Sequence, residues 1–463
     1  MKKSKVITYL ASFSPTELKK FKLFVASPYF NQKEEVVALL AYLIPFHPEF
    51  PEDKVKKAKI IQHVNFNKKN NEKELSYQMS FLFKLIEQYL TISKFESDSN
   101  MKEIHLFNSL YEKKLMNNFR MELSKKLQDI EKVGDKDASH YLKAALLYDL
   151  DRHTKEQRKH NESLQKASDY NDYYFFLNKL KYSCNMIDQS KFLKTDYDIG
   201  FVDETTAYIK DSKFVDEPLI AIYLNILDIV KGIDAKAKFK LLKNQIFKNT
   251  YNIAHSEFKD IYIFAINFCA RQIKKNQLEY LQEAFDLYRE GIDKKILLDK
   301  NQLTTWTYGN VVKLGLRLKE FSEIEKFIFD NKDKIPKNKR EDVFNYNLSE
   351  LYYYTNKFDE AQRLINYIKV TDSMLHSNSR VILCKIYFES FEVEPLLSLI
   401  ASFSIFLKRD KKLSGNMKIF YKNFCDILFQ LLKRNPKKLP GIVEKIKSVE
   451  LISDREWLSL IHI

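Results

Sequence analysis

The sequence contains few of the residues that form turns. Glycine occurs 8 times and proline 10 times in 463 residues, together about 4% of the chain, whereas average usage is roughly 12%. Sheets, barrels and doubly wound folds need many such turns, and phosphate-binding loops need glycine. Because the hydrophobic fraction is 45%, a disordered chain is also excluded. We therefore expect an all-α protein of long helices joined by short polar loops.

The sequence also lacks the motifs of common enzymes and metal sites. It contains no His-Glu-x-x-His, Gly-x-Ser-x-Gly, glycine-rich phosphate loop or calcium-loop spacing. His153 and His160 are the only close pair among the 9 histidines. On one helix they would lie about 10.5 Å apart, too far to share a metal ion. We therefore expect no enzymatic activity, no catalytic residue, no metal site and no cofactor.

Cysteine is scarce, and no two cysteines are close in sequence. Cys184, Cys269, Cys384 and Cys425 lie in apolar, helix-like surroundings, and no Cys-x-x-Cys occurs. Such cysteines are typical of small buried hydrophobic residues in a reducing compartment. No apolar run approaches the ~18 residues that span a membrane. We therefore expect a cytoplasmic protein without a transmembrane segment.

Positive charge is in excess, but most of it is lysine. Lys+Arg number 77 against 62 Asp+Glu, a net charge of +15, and only 12 of the 77 are arginine. Arginine makes the forked contacts to phosphates and guanine edges, whereas lysine is a hydrated point charge. The lysine excess therefore indicates a coding bias more than it indicates a nucleic-acid-binding protein.

Residues 408–447 nevertheless concentrate this charge, with 12 basic and 3 acidic residues. We predict that they form terminal helices with a basic outer face. The apolar stripe opposite this face consists of Ile419, Phe420, Phe424, Leu428, Leu431 and Leu432. The candidate basic patch consists of Lys408, Arg409, Lys411, Lys412, Lys418, Lys422, Lys433, Arg434, Lys437 and Lys438.

Two helices near the start of the chain are clearly marked. Residues 14–17 read SPTE, a capping box with proline at the first helical position. They predict a helix from Pro15 to about Ala26, which Pro28 ends. Asn31, with Glu34 three residues later, is predicted to cap the next helix.

The strings FVASPYFN at residues 24–31 and SFLFKLIE at residues 80–87 resemble a family of uncharacterised bacterial helical-repeat proteins. The resemblance covers about the first 95 residues and rests mainly on the SPYFN signature. It implies a helical-repeat fold, but it carries no activity and no functional residue. From the residues alone, 27–31 form a helix stop, two packing aromatics and a helix cap, and this interpretation stays open.

A helical hairpin is marked at residues 348–361, which read LSELYYYTNKFDEA. Ser349 and Ala361 are small and let two helices approach, while Tyr352 and Phe358 fill the space beside them. This pattern resembles a tetratricopeptide repeat. We call the alignment of these residues with the repeat the sequence frame. In the sequence frame Tyr352 takes the buried position, and Tyr353 and Tyr354 point toward the inner face.

The same frame fits two further copies. One covers residues 308–324 and departs from the repeat at Ile324, where alanine is usual, and the other covers residues 383–395 with a displaced turn. The corresponding small positions, Val312, Ser349 and Cys384, are 37 and 35 residues apart, close to the ~34 of that repeat.

These patterns together predict a right-handed helical-hairpin solenoid of the tetratricopeptide type with an N-terminal helical module. We expect the module at residues 1–96, divergent hairpin repeats at 97–298, and tetratricopeptide-like repeats followed by basic C-terminal helices at 299–463. A solenoid exposes an extended concave surface that suits a protein or peptide partner.

We therefore expect a non-enzymatic scaffold that binds a partner in a groove. The frame places these candidate groove residues on the inner helices: Trp306, Lys313, Arg317, Val343, Tyr346, Glu350, Tyr353, Tyr354, Val381, Lys385 and Phe388. Two alternatives remain open. These side chains pack against neighbouring hairpins instead of forming a groove, or the protein binds nucleic acid through residues 408–447.

Overall fold

A computed structural model describes residues 1–64, 71–134, 136–153, 162–193, 195–248, 253–369, 372–433 and 439–461. This part of the chain is helical and holds no strand, its one β-type contact being an isolated bridge between Asp299 and Gln302. The all-α prediction is therefore confirmed for the described ranges. None of the helices within them is both long and apolar enough to cross a bilayer.

The chain divides into two compact units, Met1–Asn178 and Lys179–Ile463. Within the first unit lie α1 (Lys5–Ser12), α2 (Pro15–Ala26), α3 (Glu34–Leu43), α4 (Lys57–His63), α5 (Asn71–Ser97), α6 (Ser99–Glu112), α7 (Met116–Glu131) and α8 (Ala138–Arg152), with a 3-10 turn at Ile44–Phe46. Helix α9 (Glu162–Leu193) contains the boundary.

The second unit begins with α10 (Val202–Lys210), α11 (Pro218–Lys231), α12 (Ala235–Lys248), α13 (His255–Lys274) and α14 (Tyr280–Asp293). It continues with α15 (Thr305–Leu318), α16 (Phe321–Asp330), α17 (Arg340–Tyr354), α18 (Phe358–Asn366), α19 (Ser373–Glu389) and α20 (Val393–Arg409). It ends with α21 (Gly415–Leu432), α22 (Leu439–Ser448) and α23 (Arg455–Leu460), and it has 3-10 turns at Lys213–Asp216 and Lys332–Lys334.

The capping box of the first unit forms as predicted. The Ser14 hydroxyl accepts from the Glu17 amide at 3.2 Å, and the Glu17 carboxylate accepts from the Ser14 amide at 2.7 Å. Helix α2 consequently runs from Pro15 to Ala26. Each of these two bonds satisfies an amide that the helix start would otherwise leave without a partner.

The prediction for Asn31 is wrong, because α3 begins at Glu34 and Lys33 precedes it without a side-chain cap. The buried Asn31 amide group instead donates to the carbonyls of Val25 and Lys33 and accepts from the Lys33 amide. Asn31 thus ties the end of α2 to the start of α3. The prediction of two packing aromatics holds for Phe30, whose ring lies 4.1 Å from that of Phe24, but not for the exposed Tyr29.

In the second unit, consecutive helices pack as antiparallel hairpins. Helices α15 and α16, α17 and α18, and α19 and α20 form three such pairs, and α17 also packs against α15 and α19. Val312, Ser349 and Cys384, the three small positions of the sequence frame, are all fully buried. The first helices of the three hairpins therefore lie side by side and present one common surface.

These three hairpins share one turn geometry. Lys319, Asn356 and Phe391 adopt left-handed backbone φ angles of 64°, 56° and 57° and are 37 and 35 residues apart, the spacing of the sequence frame. In each turn the next amide donates to the carbonyl five residues earlier, from Glu320 to Gly315 at 2.9 Å, from Lys357 to Tyr352 at 2.8 Å and from Glu392 to Tyr387 at 2.8 Å. This arrangement satisfies carbonyls that the helix end leaves free.

Candidate functional site

Two adjoining cavities follow the common surface of α15, α17 and α19. The tryptophan cavity has a volume of about 160 Å³ and lies around Trp306, Gly309, Val343 and Asn347. The tyrosine cavity has a volume of about 240 Å³ and lies around Arg317, Glu350, Tyr353, Tyr354 and Lys385. Both are lined by Lys313, Tyr346 and Asn378. We call the two cavities together the groove.

The structure brings the candidate groove residues together. Ten of the eleven line the groove: Trp306, Lys313, Arg317, Val343, Tyr346, Glu350, Tyr353, Tyr354, Val381 and Lys385. The eleventh, Phe388, does not line it and packs its ring 5.5 Å from that of Trp457. These positions were predictable because the repeat pattern in the sequence identifies the first helix of each hairpin and the residues on its inner side.

The groove has an apolar floor and an exposed aromatic rim. Val343 and Val381 are buried, whereas Trp306 is 65% exposed. Among the three consecutive tyrosines, Tyr353 is buried at 8% exposure, Tyr352 is half-buried and Tyr354 is exposed. The prediction that Tyr352 takes the buried position is therefore wrong, because Tyr353 is the tyrosine that packs between α17 and α19.

Lys385 is an unusual groove residue, because it is only 5% exposed. Its ammonium lies 2.8 Å from an Asp454 carboxylate oxygen and 4.4 Å from the centre of the Tyr353 ring. Burial alone lowers the pKa of a lysine, but Asp454, together with Tyr354 and Glu350, outweighs burial here and raises the pKa of Lys385. The ion pair likewise lowers the pKa of Asp454, although desolvation opposes this shift.

Glu350 is one of the residues that line the tyrosine cavity. One carboxylate oxygen accepts from the Tyr346 hydroxyl at 2.9 Å, and the other is covered and has no hydrogen-bond partner within the described ranges. Burial raises the pKa of Glu350, although the neighbouring ammonium groups of Lys313 and Lys385 act in the opposite direction. The neighbouring ammonium groups therefore compensate only part of the desolvation cost of the ionised Glu350 carboxylate.

The segment of residues 453–460 contributes Ser453 and Asp454 to the lining of the tyrosine cavity, and sequence reasoning missed it. Besides the Asp454 contact, Glu456 pairs with Arg317 at 3.1 Å, and the Trp457 indole donates to Glu389 at 2.6 Å. The Tyr353 hydroxyl donates to the same Glu389 oxygen. No periodic pattern links this segment to α19, since 69 residues separate Lys385 from Asp454.

Six of the seven described members of the candidate basic patch are solvent-exposed. Lys418 is half-buried and donates to the Asp410 carbonyl. Arg434, Lys437 and Lys438 lie outside the described residues, as does His160 of the histidine pair. The remaining members are solvent-exposed: Lys408, Arg409, Lys411, Lys412, Lys422 and Lys433.

The apolar stripe opposite the patch is confirmed at Phe424 and Leu428, which are fully buried. Phe420, Leu431 and Leu432 are half-buried and pack against the same core. Ile419 is exposed, so its place in the stripe is wrong. The buried face of α21 is defined by Tyr421, Phe424 and Leu428. Ile419 lies two residues before Tyr421, about 200° around the helix, and therefore faces away from the core.

Among the described residues, the cysteines and the other possible metal ligands form no recognisable centre. All four cysteines are free and buried, as predicted. In the described ranges no three His, Cys, Asp or Glu side chains come together in a way that would hold a metal ion.

Comparison with protein-family models, with curated proteins and with solved structures finds no match for this chain.

Proposed function

We propose that this protein is a non-enzymatic scaffold or adaptor that binds a segment of a partner protein in the groove. Its hairpins would form a right-handed solenoid of the tetratricopeptide type, and α15, α17 and α19 would line the inner face. The observation that supports this proposal is that ten predicted groove residues, spread over 80 positions of sequence from Trp306 to Lys385, line two adjoining cavities.

The chemistry of the groove suits a peptide-like partner. Tryptophan, tyrosine and arginine supply most of the binding energy at protein interfaces, and here Trp306, Tyr354 and Arg317 are accessible along one surface. Lys313 is exposed between the two cavities. Apolar contacts and cations are thus placed side by side, as in grooves that bind an extended or helical segment.

Selection of peptides followed by amide hydrogen exchange tests the proposal. A random peptide library is screened for binding to the purified full chain. Amide hydrogen exchange of the protein is then measured with and without the selected peptide. We expect slower exchange in α15, α17 and α19 and no change in α16 and α18, which form the outer helices of the same hairpins. Protection confined to the outer helices or to the first unit would contradict the proposal.

The second candidate function is binding of nucleic acid through the basic patch. It is favoured by the six exposed basic side chains between residues 408 and 433. Phosphate contacts of this kind weaken steeply as salt rises. Retardation of DNA or RNA at ~50 mM salt that is lost at ~200 mM and reduced by Lys422→Glu would support it, whereas no retardation at ~50 mM would remove it.

A further inference from the structure

We propose that the binding surface continues from the groove into a third cavity, and that the partner segment bound there carries a large aliphatic side chain flanked by Asp or Glu. This inference rests on the proposed function, because it names the chemistry of the segment that the same surface binds. We call the third cavity the methionine cavity, after Met374 and Met417 in its lining.

The methionine cavity adjoins the groove and is larger than either cavity of the groove. Its volume is about 540 Å³, and its lining includes residues at the starts of α17, α19 and α21. Five lining residues are shared with the tryptophan cavity: Lys339, Val343, Asp372, Met374 and Leu375. A segment that lies in the tryptophan cavity can therefore extend directly into the methionine cavity.

The lining of the methionine cavity suits an aliphatic side chain. Its apolar members are the buried Val343 and the half-buried Met374, Leu375, Leu413 and Met417. Methionine side chains are unbranched and adapt to apolar groups of different shape. None of the described residues that line this cavity is aromatic, and so it offers no ring on which a nucleic-acid base could stack. These contacts favour a leucine or methionine of a partner protein.

Two basic segments border the methionine cavity. Residues 334–340 contribute Asn338 and Lys339 to its lining, and residues 408–414 contribute Lys412, Leu413 and Ser414. Together the two segments contain eight basic residues and one acidic residue. The lining itself adds two acidic residues, which offset only part of this charge. The electrostatic potential around the cavity therefore favours a partner with carboxylates.

The acidic residues at this cavity are already bonded, whereas several of the cations are not. Asp372 caps α19 through two backbone amides and pairs with Lys339 at 3.6 Å. Asp410 accepts from the Lys412 and Leu413 amides at 2.8 Å and 2.7 Å. Within the described ranges, four exposed or partly exposed side chains of the two segments have no hydrogen bond or ion pair: Lys337, Lys408, Arg409 and Lys411. These cations remain available to carboxylates of a partner.

Peptides selected from a random library by binding to the full chain test this inference. They should carry Asp or Glu beside Leu, Ile or Met more often than the unselected library does. Fluorescence anisotropy then compares the Kd of a selected peptide for three forms of the full chain. The variant Lys337→Glu with Lys411→Glu reverses one unpaired cation in each segment and should weaken binding at least about tenfold.

The matched control is Lys422→Glu with Lys447→Glu, which has the same net charge. It reverses two exposed lysines that line none of the three cavities, and it should leave Kd unchanged. A peptide whose acidic residues are replaced by lysine should bind the variant of residues 337 and 411 more tightly than it binds the parent. Equal Kd values for the parent and this variant, or no gain with the lysine peptide, overturn the inference.

Retardation of DNA or RNA at ~50 mM salt that is lost in the variant of residues 337 and 411 but kept in the control would also overturn it. Amide hydrogen exchange of the parent gives a measurement that needs no variant. The selected peptide should slow exchange in residues 412–418, which lie outside the groove. If it slows exchange in α15, α17 and α19 but not in 412–418, the proposed function stands and only this inference fails. A screen that yields no binding peptide contradicts both.

Discussion

Gly315 and Ile324 face each other so closely that a Cβ on residue 315 would lie 2.2 Å from the Ile324 Cδ1 atom. The corresponding positions of the next hairpin, nine residues apart in the same way, hold Tyr352 and Ala361. The large and the small residue thus exchange places between the two hairpins. This exchange explains how Ile324 stands where the repeat usually has alanine.

This relationship predicts a strong coupling between the two positions. Gly315→Ala should lower the free energy of unfolding by about 1–3 kcal/mol through overpacking, and Ile324→Ala by about 2–4 kcal/mol through a cavity. The double variant should lose clearly less than the sum, because alanine at 324 makes room for the new methyl group. Urea unfolding of the four proteins measures this, and strictly additive losses would contradict the packing described.

The shared turn predicts a stabilising substitution. Phe391 holds a left-handed φ of 57° while its ring is 79% exposed. Such a backbone costs a residue with a Cβ about 1–2 kcal/mol, but costs glycine almost nothing. Phe391→Gly should therefore raise the free energy of unfolding by about 0.5–1 kcal/mol after the greater freedom of unfolded glycine is subtracted. Phe391→Ala is the control, and it should give no such gain.

The desolvation of the Glu350 carboxylate predicts that the stability of the protein depends on pH. Because burial raises the pKa of this carboxyl in the folded protein, ionisation costs stability once the pH exceeds the unfolded value of about 4.3. Below that pH the carboxyl is protonated in both states, and the cost disappears. Glu350→Gln should therefore raise Tm at pH 7, and the gain should shrink toward pH 4.

The control for this experiment is Glu456→Gln, since Glu456 is highly exposed beside Arg317 and should shift Tm little at either pH. A Tm of Glu350→Gln below that of the parent at pH 7 would show that the ionised carboxylate stabilises the fold. That result would contradict the electrostatics described for the tyrosine cavity.

Two aromatic residues of the groove should behave differently in stability measurements. Trp306 is 65% exposed, and Trp306→Ala should cost less than about 1 kcal/mol. Tyr353 is 8% exposed and hydrogen-bonded to Glu389, so Tyr353→Ala should cost about 3–5 kcal/mol. Thermal melts compare the two, and only Trp306 is suitable for separating binding from folding. Similar losses for both would show that the exposed position of Trp306 is wrong.

Features that depend on local sequence were predictable. The SPTE capping box determined the bounds of α2, and the position of each residue in its hairpin brought Trp306 and Tyr346 to one surface. Features that depend on distant contacts were not. Lys385 has the pattern of a surface residue, yet Asp454 lies over it, because a segment 69 residues later folds back on α19.

The same distinction explains the smaller errors. Asn31 has the residue type and spacing of a helix cap, but its amide bonds to Val25, whose carbonyl the end of α2 leaves available. The burial of Tyr353 in place of Tyr352 follows from Glu389 on the neighbouring helix, which accepts its hydroxyl. In both cases a partner from another element decided between conformations that the local sequence allowed.

Isothermal titration calorimetry of a library-selected peptide with three forms of the full chain tests the central claim most directly. The forms are the parent, Trp306→Ala and the control Tyr367→Ala, which removes an aromatic ring that is 74% exposed and lies outside the groove. If α15, α17 and α19 form a partner-binding groove, Trp306→Ala weakens binding at least tenfold and Tyr367→Ala leaves Kd unchanged. Equal Kd values for all three folded proteins would contradict the claim.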